Sequence, residues 1–172
     1  MNRFLSVTAF AICLILGNAA AEAQQWQEYR PDGVGFRVDL PGSPQIEDNT
    51  AQAGNNVSKM IVGSIAPSDE IAYIAMYSVF KPSAMDSDPQ RSLDGGMRGL
   101  TGQGKIRSQK RLTFGTVPAR YVVIDMSEKR VGIDLMVMSG NALIQIICIV
   151  PTGQEATPTV ERIYKSFALV AN

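Results

Sequence analysis

The sequence predicts an α+β fold with a mainly antiparallel sheet of about six strands. Four strand-like runs follow one another in the second half of the chain, at 105–114, 117–126, 131–138 and 141–150. Only a few residues separate consecutive runs, and turns this short join neighbouring antiparallel strands. The chain then closes with TPTVERIYKSFALV, whose apolar residues repeat at helical spacing. Serial strands followed by a helix are typical of the α+β class.

Further strands are predicted in the first half of the chain. Apolar and polar residues alternate over 36–40, which is the pattern of a half-buried strand. Residues 58–66 and 71–80 are each strand-like, and a short turn between them predicts a hairpin. The second, IAYIAMYSVF, is apolar at both parities, which predicts an inner strand covered on both faces. The polar stretch at 45–57 predicts a loop.

A crossover helix is predicted after residue 88. Asp88 can cap its N-terminus, and Pro89 suits its first turn. Leu93, Met97 and Leu100 then form an apolar stripe of helical period. Three glycines weaken this helix by about 1 kcal/mol each relative to alanine, and they are Gly95, Gly96 and Gly99.

The C-terminal helix carries the same kinds of signal. Thr157 is the candidate cap, and Pro158 suits the first helical position. The apolar stripe that would pack on the sheet consists of Val160, Ile163, Tyr164 and Phe167.

The first 23 residues predict a cleaved secretory signal peptide. A short polar start with one arginine is followed by an apolar run over 4–16 and a small-residue tail, in which Ala21 and Ala23 form a cleavage site. Removal of 1–23 would leave a single domain of about 150 residues, an ordinary size for one domain. The expected domain is 24–172, beginning at Gln24.

Two alternatives for this segment are less favoured. A membrane anchor would need about 20 apolar residues, and the run has only about 13. Cys13 is a candidate lipid-anchor site, but bulky Ile12 precedes it and the apolar run continues beyond it. We therefore expect an exported protein, periplasmic or extracellular, with no membrane span after cleavage.

Composition excludes several classes of function. The chain has no histidine, which removes Ser-His-Asp and Cys-His nucleophilic sites and every metal site that uses histidine. It carries 16 basic and 16 acidic residues, so no overall field attracts nucleic acid. Without Cys13, Cys148 would be a lone cysteine in an apolar strand, which favours a buried thiol over a reactive one. We expect no cofactor and no metal, although a carboxylate-only cation site stays open.

The stretch GLTGQGKI resembles a phosphate-binding loop, with Gly99, Gly104 and Lys105 in the three fixed positions. That motif needs a strand before the loop and a helix after it. Here a predicted helix precedes the glycines and a predicted strand follows them. Ile106 also replaces the hydroxyl residue that would hold Mg²⁺. The glycines therefore predict helix termination and a connection.

Most of the other candidate residues have two interpretations, one functional and one structural. Asp86 and Asp88 form a carboxylate pair, or they cap the helix. Arg91 and Arg98 lie seven apart on one helix face and form an anion or partner contact, or a solvated face. The turn with Asp125, Glu128, Lys129 and Arg130 predicts an exposed edge of mixed charge. Near the mature start, Trp26 and Tyr29 form a binding tip, or they pin the N-terminal segment to the core.

Several segments together carry a family resemblance, and they are Trp26, Tyr29, the run GFRVDLPGSP at 35–44, and Lys165, Ser166 and Phe167. They resemble the PsbP-like group, which includes many exported bacterial proteins of unknown role. The resemblance implies an α/β/α sandwich with helices near the start, middle and end of the domain. An N-terminal helix would fall at 24–30 or 45–55. The photosystem subunits that give the group its name stabilise a larger assembly.

These observations favour a non-catalytic accessory or binding protein of the cell envelope that acts through a protein partner. Histidine, the commonest general base at neutral pH, is absent. The rival hypothesis is a carrier of a small molecule or lipid, with a pocket between sheet and helix. Its lining would include Met76, Met97, Met136 and Met138, although methionines also fill cores. A hydrolase that uses carboxylates is a third possibility. The oligomeric state stays open.

Overall fold

The computed structural model describes residues 25–126 and 129–171, so the predicted signal peptide lies outside the described residues. Within these ranges the chain forms ten strands and two α-helices. The strands are β1 (Gln27–Tyr29), β2 (Phe36–Leu40), β3 (Gln45–Asp48), β4 (Val57–Ser68), β5 (Ile71–Phe80), β6 (Gly104–Phe114), β7 (Val117–Met126), β8 (Arg130–Ser139), β9 (Ala142–Pro151) and β10 (Ala168–Leu169). The helices are α1 (Pro89–Leu100) and α2 (Pro158–Ser166).

Seven of these strands form the main sheet, in the order β3-β4-β5-β9-β8-β7-β6. Every neighbouring pair is antiparallel, which confirms the predicted fold class. The four serial strands are β6 to β9, each paired with the next along the chain. Strand β9 then pairs with β5, so that the first hairpin and the four-stranded unit become one sheet.

The two helices lie on opposite faces of this sheet, as strand β8 shows by its alternation. Its residues Val131, Ile133, Leu135 and Val137 belong to the same core cluster as Val160, Ile163 and Phe167 at α2. Met136 and Met138 belong to a second cluster with Leu93, Met97 and Leu100 of α1. The arrangement is an α/β/α sandwich.

A second, three-stranded sheet lies on the α2 side, in the order β1-β2-β10. Strand β2 is its centre, and its residues Phe36, Val38 and Leu40 are fully buried in the α2-side cluster. Asp39 of this strand accepts hydrogen bonds from Arg162 of α2, at 3.1 Å from Nη2. This face of the main sheet is therefore covered by both a helix and a small sheet.

Helix caps form where the sequence places them. The Asp88 side chain accepts a hydrogen bond from the Gln90 amide at 2.9 Å, and Pro89 occupies the first turn of α1. The Thr157 hydroxyl accepts one from the Val160 amide at 3.4 Å at the start of α2. Helix α1 forms despite its glycines because its apolar stripe is buried against the sheet.

Three expectations are wrong. Residues 45–48 of the predicted loop form strand β3, whose side chains are all exposed, because it pairs with β4 through its backbone. No helix occurs in the described parts of 24–30 and 45–55, where the family resemblance placed one. Strand β5 is an inner strand, but only one of its faces is fully covered: Tyr73, Ala75 and Tyr77 are buried, whereas Ile74 and Met76 are half-buried.

Candidate binding face

Helix α1 covers only part of the sheet face on which it lies. It packs on β7 and β8, with its apolar stripe against Val122 and Ile124. On the same side, strands β9, β5 and β4 extend beyond the helix, and their side chains there remain half-buried. We call this region the open face, and its residues are Met60, Val62, Ser64, Ala72, Ile74, Met76, Gln145, Ile147 and Ile149.

The strand register places these residues on the α1 side of the sheet. Val62 lies opposite Met76, Met76 opposite Gln145, and Gln145 opposite Met136. Directly paired residues point to the same side of a sheet. Because Met136 packs in the α1 cluster, the whole row faces the α1 side. None of the nine residues carries a charge, so the open face is a mainly apolar surface beside a helix.

A groove crosses one end of the open face, next to α1. It consists of two cavities of about 420 Å³ and 570 Å³ that share Phe80 and Leu143 in their lining. The first is bounded by α1 at Ser92, Gly95 and Gly96. The second extends across the open face to the loop after β3, where it is lined by Asn49, Gln52, Ala53, Met60, Met76 and Gln145. The groove therefore separates α1 from that loop.

Two arginines lie at the α1 rim of this groove. Arg91 and Arg98 both line the first cavity, as their seven-residue spacing predicts for one helix face. The Arg91 side chain is 73% exposed, and its Nη1 lies 3.9 Å from Asp86 Oδ2. Arg98 is exposed and has no ion-pair partner among the residues that the structure describes. Asp86 lines the same cavity, so the rim has two arginines and one aspartate, a net positive charge, next to an uncharged floor.

A buried carboxylate supports the floor from within the sheet. Asp134 is 1% exposed, and its Oδ2 accepts a hydrogen bond of 2.8 Å from Nε2 of Gln145. Its other oxygen, Oδ1, has no hydrogen-bond partner in the described structure. Burial raises the pKa of Asp134 to about 7, although the Gln145 hydrogen bond opposes the rise. Because the Gln145 amide nitrogen donates to Asp134, the Gln145 Oε1 acceptor stays available to a donor that binds in the groove.

A second polar cluster fixes α1 to the sheet on its other flank. Arg120 of β7 is 4% exposed. Its Nη2 donates to Asp94 and, at 3.4 Å, to Gln90 on α1. Its Nη1 donates to Gln109 of β6 at 3.0 Å. These contacts stabilise the position of the helix over β7 and β8, so that the opposite flank of α1 faces the open face.

The glycine stretch of the sequence connects α1 and β6. Gly99 lies in the last turn of α1, which ends at Leu100, and Gly104 begins β6, so a helix precedes the connection and a strand follows it, as predicted. A Cβ atom at Gly104 would lie 2.2 Å from the Asp125 carbonyl oxygen, which explains why glycine is needed there. Lys105 lies opposite Asp125 in the β6–β7 pair.

The candidate aspartates and the N-terminal aromatic residues contact other parts of the fold. Asp86 accepts a hydrogen bond from the Asp88 amide at 2.9 Å, so that both aspartates organise the start of α1. The ring centroid of Trp26 lies 4.1 Å from the guanidinium carbon of Arg162, and Tyr29 packs edge-on against Phe36. These aromatic contacts confirm that Trp26 and Tyr29 pin the N-terminal segment.

The charged residues of the turn between β7 and β8 have different surroundings. Asp125 forms an ion pair with Arg107 of β6, and Arg107 reaches Glu155 at 2.7 Å. Lys129 adopts a left-handed conformation with φ of 60°, and Arg130 begins β8. Glu128 lies outside the described residues.

The candidate methionines and Cys148 lie in three different places in the fold. Met76 and Met138 line the groove. Met97 and Met136 are buried between α1 and the sheet, so the expectation that all four line one pocket is wrong. Cys148 is fully buried on the α2 side, and burial raises its thiol pKa to about 12. A thiol in this environment is a poor nucleophile.

Comparison with known proteins shows the fold. No protein-family model matches the sequence, and no curated protein matches it. Cyanobacterial PsbP (CyanoP) from Synechocystis sp. PCC 6803, a solution structure, superposes with a TM-score of 0.58 at 11% identity, covering 87% of this chain and 95% of that one. The chain has a PsbP-like fold. A Pseudomonas aeruginosa protein of unknown function matches at a TM-score of 0.46 and 10% identity, over 81% and 91% of the two chains.

Two polar clusters of this PsbP-like fold were not predicted from the sequence, and they are centred on Asp134 and Arg120. A signal was present, because Asp134 interrupts the run VGIDLMVM and Arg120 interrupts VPARYVVIDM. A charged residue within an apolar strand is buried only with a partner. The partners, Gln145 and Asp94, come from other elements, so the sequence did not indicate them.

Proposed function

We propose that the protein is a non-catalytic accessory or binding protein of the cell envelope, and that its protein partner docks on the open face. The observation that carries this proposal is the half-buried, uncharged surface of β4, β5 and β9, over which no helix lies in the part of the chain that the structure describes. A solvent-facing side of an antiparallel sheet normally has polar side chains, whereas this one is mainly apolar. Contiguous apolar surface with a polar rim is typical of interaction sites.

The envelope location in this proposal rests on the N-terminal sequence. The apolar run and small-residue tail of residues 1–23 are typical of export signals. No helix in the described ranges is long and apolar enough to span a membrane.

The non-catalytic part of the proposal rests on how the nearby polar groups are used. Arg120 is engaged with Asp94, and Asp134 accepts from Gln145. Asp86 and Asp88 organise the start of a helix. Arg120 and Asp134 are also almost fully buried, so neither can reach a substrate to move its protons.

The groove supports one alternative function, a carrier of an anionic amphiphile. Phe80, Met138 and Leu143 would contact its apolar part, and Arg91 and Arg98 its charged group. Ligand pockets of this kind usually bury most of their ligand. The groove instead opens onto the half-exposed sheet surface, which favours a larger, macromolecular occupant.

Site-specific photo-cross-linking tests the proposed function. The full chain would carry a benzophenone side chain at Ile147 or Val62 on the open face and be irradiated in its own cell envelope. Ile46 is the matched control, because it is apolar and 52% exposed but lies opposite Gly63 on edge strand β3, away from the open face. Melting temperatures of the three variants establish that each is folded.

The outcomes separate the hypotheses. One protein cross-linked from both open-face positions and not from Ile46 supports the proposal. A lipid or small molecule at those positions would replace it with the carrier function. Equal labelling from all three positions, or no cross-link at all, contradicts docking on the open face.

A further inference from the structure

We infer that the partner presents an amphipathic α-helix that packs beside α1, over β9 and β5, with an acidic side chain at the end nearest Arg91 and Arg98. This inference rests on the proposed function and specifies the partner. Four features of the open face support it: its width, its lack of free backbone groups, the spacing of its side chains and the charge at its rim.

The width of the open face fits one helix. Neighbouring strands lie about 4.8 Å apart, and packed helices lie about 8–10 Å apart. One helix therefore covers about two strands. Helix α1 lies on β7 and β8, so that a neighbour at normal helix spacing would lie on β9 and β5. Strand β4 would form the outer edge of that position.

The flank of α1 that faces this position has small side chains. Ser92, Gly95 and Gly96 border the groove beside Met138 and Leu143. Small residues allow helix backbones to approach closely at their own positions. The longer side chains of Arg91 and Arg98 border the same cavity. A second helix can therefore lie against α1 and against the sheet at the same time.

The backbone of the open face excludes an extended occupant. Strands β4, β5 and β9 are each paired on both sides within the main sheet. An extended segment lying across them would find no backbone partners for its own N–H and C=O groups, and burying such groups unpaired is costly. A helix satisfies those groups internally. Strand addition would instead occur at the sheet edges, β3 and β6.

The side chains of the floor are spaced for helical packing. Paired rows run across β5 and β9, from Ser78 and Leu143 through Met76 and Gln145 to Ile74 and Ile147, and end at Ala72 and Ile149. Successive rows on one face lie about 6.8 Å apart along a strand. Four rows span about 20 Å, which corresponds to about 14 residues of helix. An apolar stripe at i, i+3, i+4 and i+7 would contact about two rows, so the stripe must continue at this spacing over all of these residues to contact the four rows.

Charge complementarity orients the helix. The floor is uncharged, and a rim of net positive charge, with Arg91, Arg98 and Asp86, lies at the end where Phe80 and Leu143 line the groove. Because Arg98 has no ion-pair partner within the described ranges, a carboxylate of the partner would complete its interactions. Rim charges of this kind contribute more to orientation and association rate than to affinity.

Gln145 adds a polar position to the apolar floor. Asp134 fixes the Nε2 end of its amide at 2.8 Å, which leaves Oε1 as an acceptor towards the groove. The partner stripe would therefore place a hydrogen-bond donor, such as serine, threonine or asparagine, opposite Gln145. A purely aliphatic residue there would leave the amide unpaired on docking.

The experiment maps the partner segment that cross-links to Ile147 and measures binding of that segment as a labelled synthetic peptide. We expect apolar residues at helical spacing, an acidic residue at one end, and helical circular dichroism that increases when the full chain is added. Arg98→Glu should weaken peptide binding by up to about fivefold, since one exposed ion pair contributes up to about 1 kcal/mol. Reversal of the peptide's acidic residue to lysine should restore binding.

Lys110→Glu is the matched control, because Lys110 is exposed and lies on edge strand β6, opposite Tyr121. It should leave peptide binding unchanged. A cross-linked segment with alternating extended spacing, or equal effects of the two charge reversals, would overturn the helix inference and leave the open face as the docking site. If no protein cross-links from Ile147 or Val62, the proposed function is wrong and the helix inference fails with it.

Discussion

Asp134 shows how one residue links the core to the candidate binding surface. Its carboxylate is buried on the α1 side of β8, where Val122 and Ile147 are its paired neighbours. The Gln145 amide gives it one hydrogen bond, and Oδ1 has none in the described structure. Burial disfavours the charged form, so the pKa of Asp134 is raised to about 7.

This raised pKa predicts a stability that depends on pH. The folded chain keeps the Asp134 proton up to about pH 7, whereas the unfolded chain loses it near its ordinary pKa of about 3.9. The folded state therefore binds more protons between these values, and its stability falls as pH rises through that window. From pH 5 to pH 8 the loss from this group is about 3 kcal/mol.

Asp134→Asn should remove this dependence, because asparagine does not titrate. Urea unfolding at pH 5 and pH 8 measures it: the variant should be more stable than the native protein at pH 8, with a smaller difference at pH 5. Asp125→Asn is the control, since the Arg107 hydrogen bond lowers the pKa of exposed Asp125 and keeps it ionised across this range. Parallel pH profiles for the native protein and Asp134→Asn would show that Asp134 is not protonated in the folded state.

At the scale of the element, α1 is a helix whose glycines have different surroundings. A Cβ atom at Gly95 would lie 3.6 Å from Nη2 of Arg98, which is an ordinary contact. A Cβ atom at Gly96 would lie 2.4 Å from Cε of Met136, which must then move. Met136 is fully buried, so Gly96 allows α1 to lie close to the sheet.

These surroundings predict different effects for two substitutions in the same helix. Gly95→Ala should stabilise the protein by about 0.5–1 kcal/mol, because alanine loses less conformational entropy in a helix. Gly96→Ala has the same helix preference, but displacement of Met136 offsets it in a packed core. Thermal unfolding should show a higher melting temperature for Gly95→Ala than for Gly96→Ala. An equal rise for both would mean that Gly96 is not needed for close packing.

At the scale of the whole molecule, the two faces of the main sheet are covered unequally. The α2 face carries helix α2 and the sheet of β1, β2 and β10, all in one core cluster. The opposite face carries α1 over β7 and β8, while its β4, β5 and β9 part remains half-exposed. Among the described residues, one side of the main sheet is therefore fully covered, and the other has room for a further layer.

The first described strand, β1, starts at Gln27, three residues after the predicted mature start at Gln24. We predict that protein isolated from the cell envelope begins at or next to Gln24. Because β1 and every later strand would be kept, a chain produced without residues 1–23 should melt at the same temperature as the isolated protein. N-terminal sequencing and thermal unfolding test the two parts. Recovery of a chain that retains Met1 from the cytoplasmic fraction would contradict the predicted export.

Local signals in the sequence were enough for much of the fold. Asp88 with Pro89 and Thr157 with Pro158 mark the helix starts, because a cap requires only neighbouring residues. The four serial strands follow from apolar runs and short turns, because a short turn permits only antiparallel pairing. The strands β1, β3 and β10 were missed, since they are short and pair through backbone groups that every residue carries.

By itself, the sequence determined the fold class, the helix starts and the buried stripes, because periodicity and capping act over a few residues. Tertiary structure decided which distant elements meet. It paired β5 with β9 and brought Gln145 to Asp134 and Asp94 to Arg120. It also placed α1 over β7 and β8, so that Ile74 and Ile147 remain half-exposed. These outcomes depend on contacts between residues far apart in the chain, and an apolar residue has the same local pattern whether a helix covers it or not.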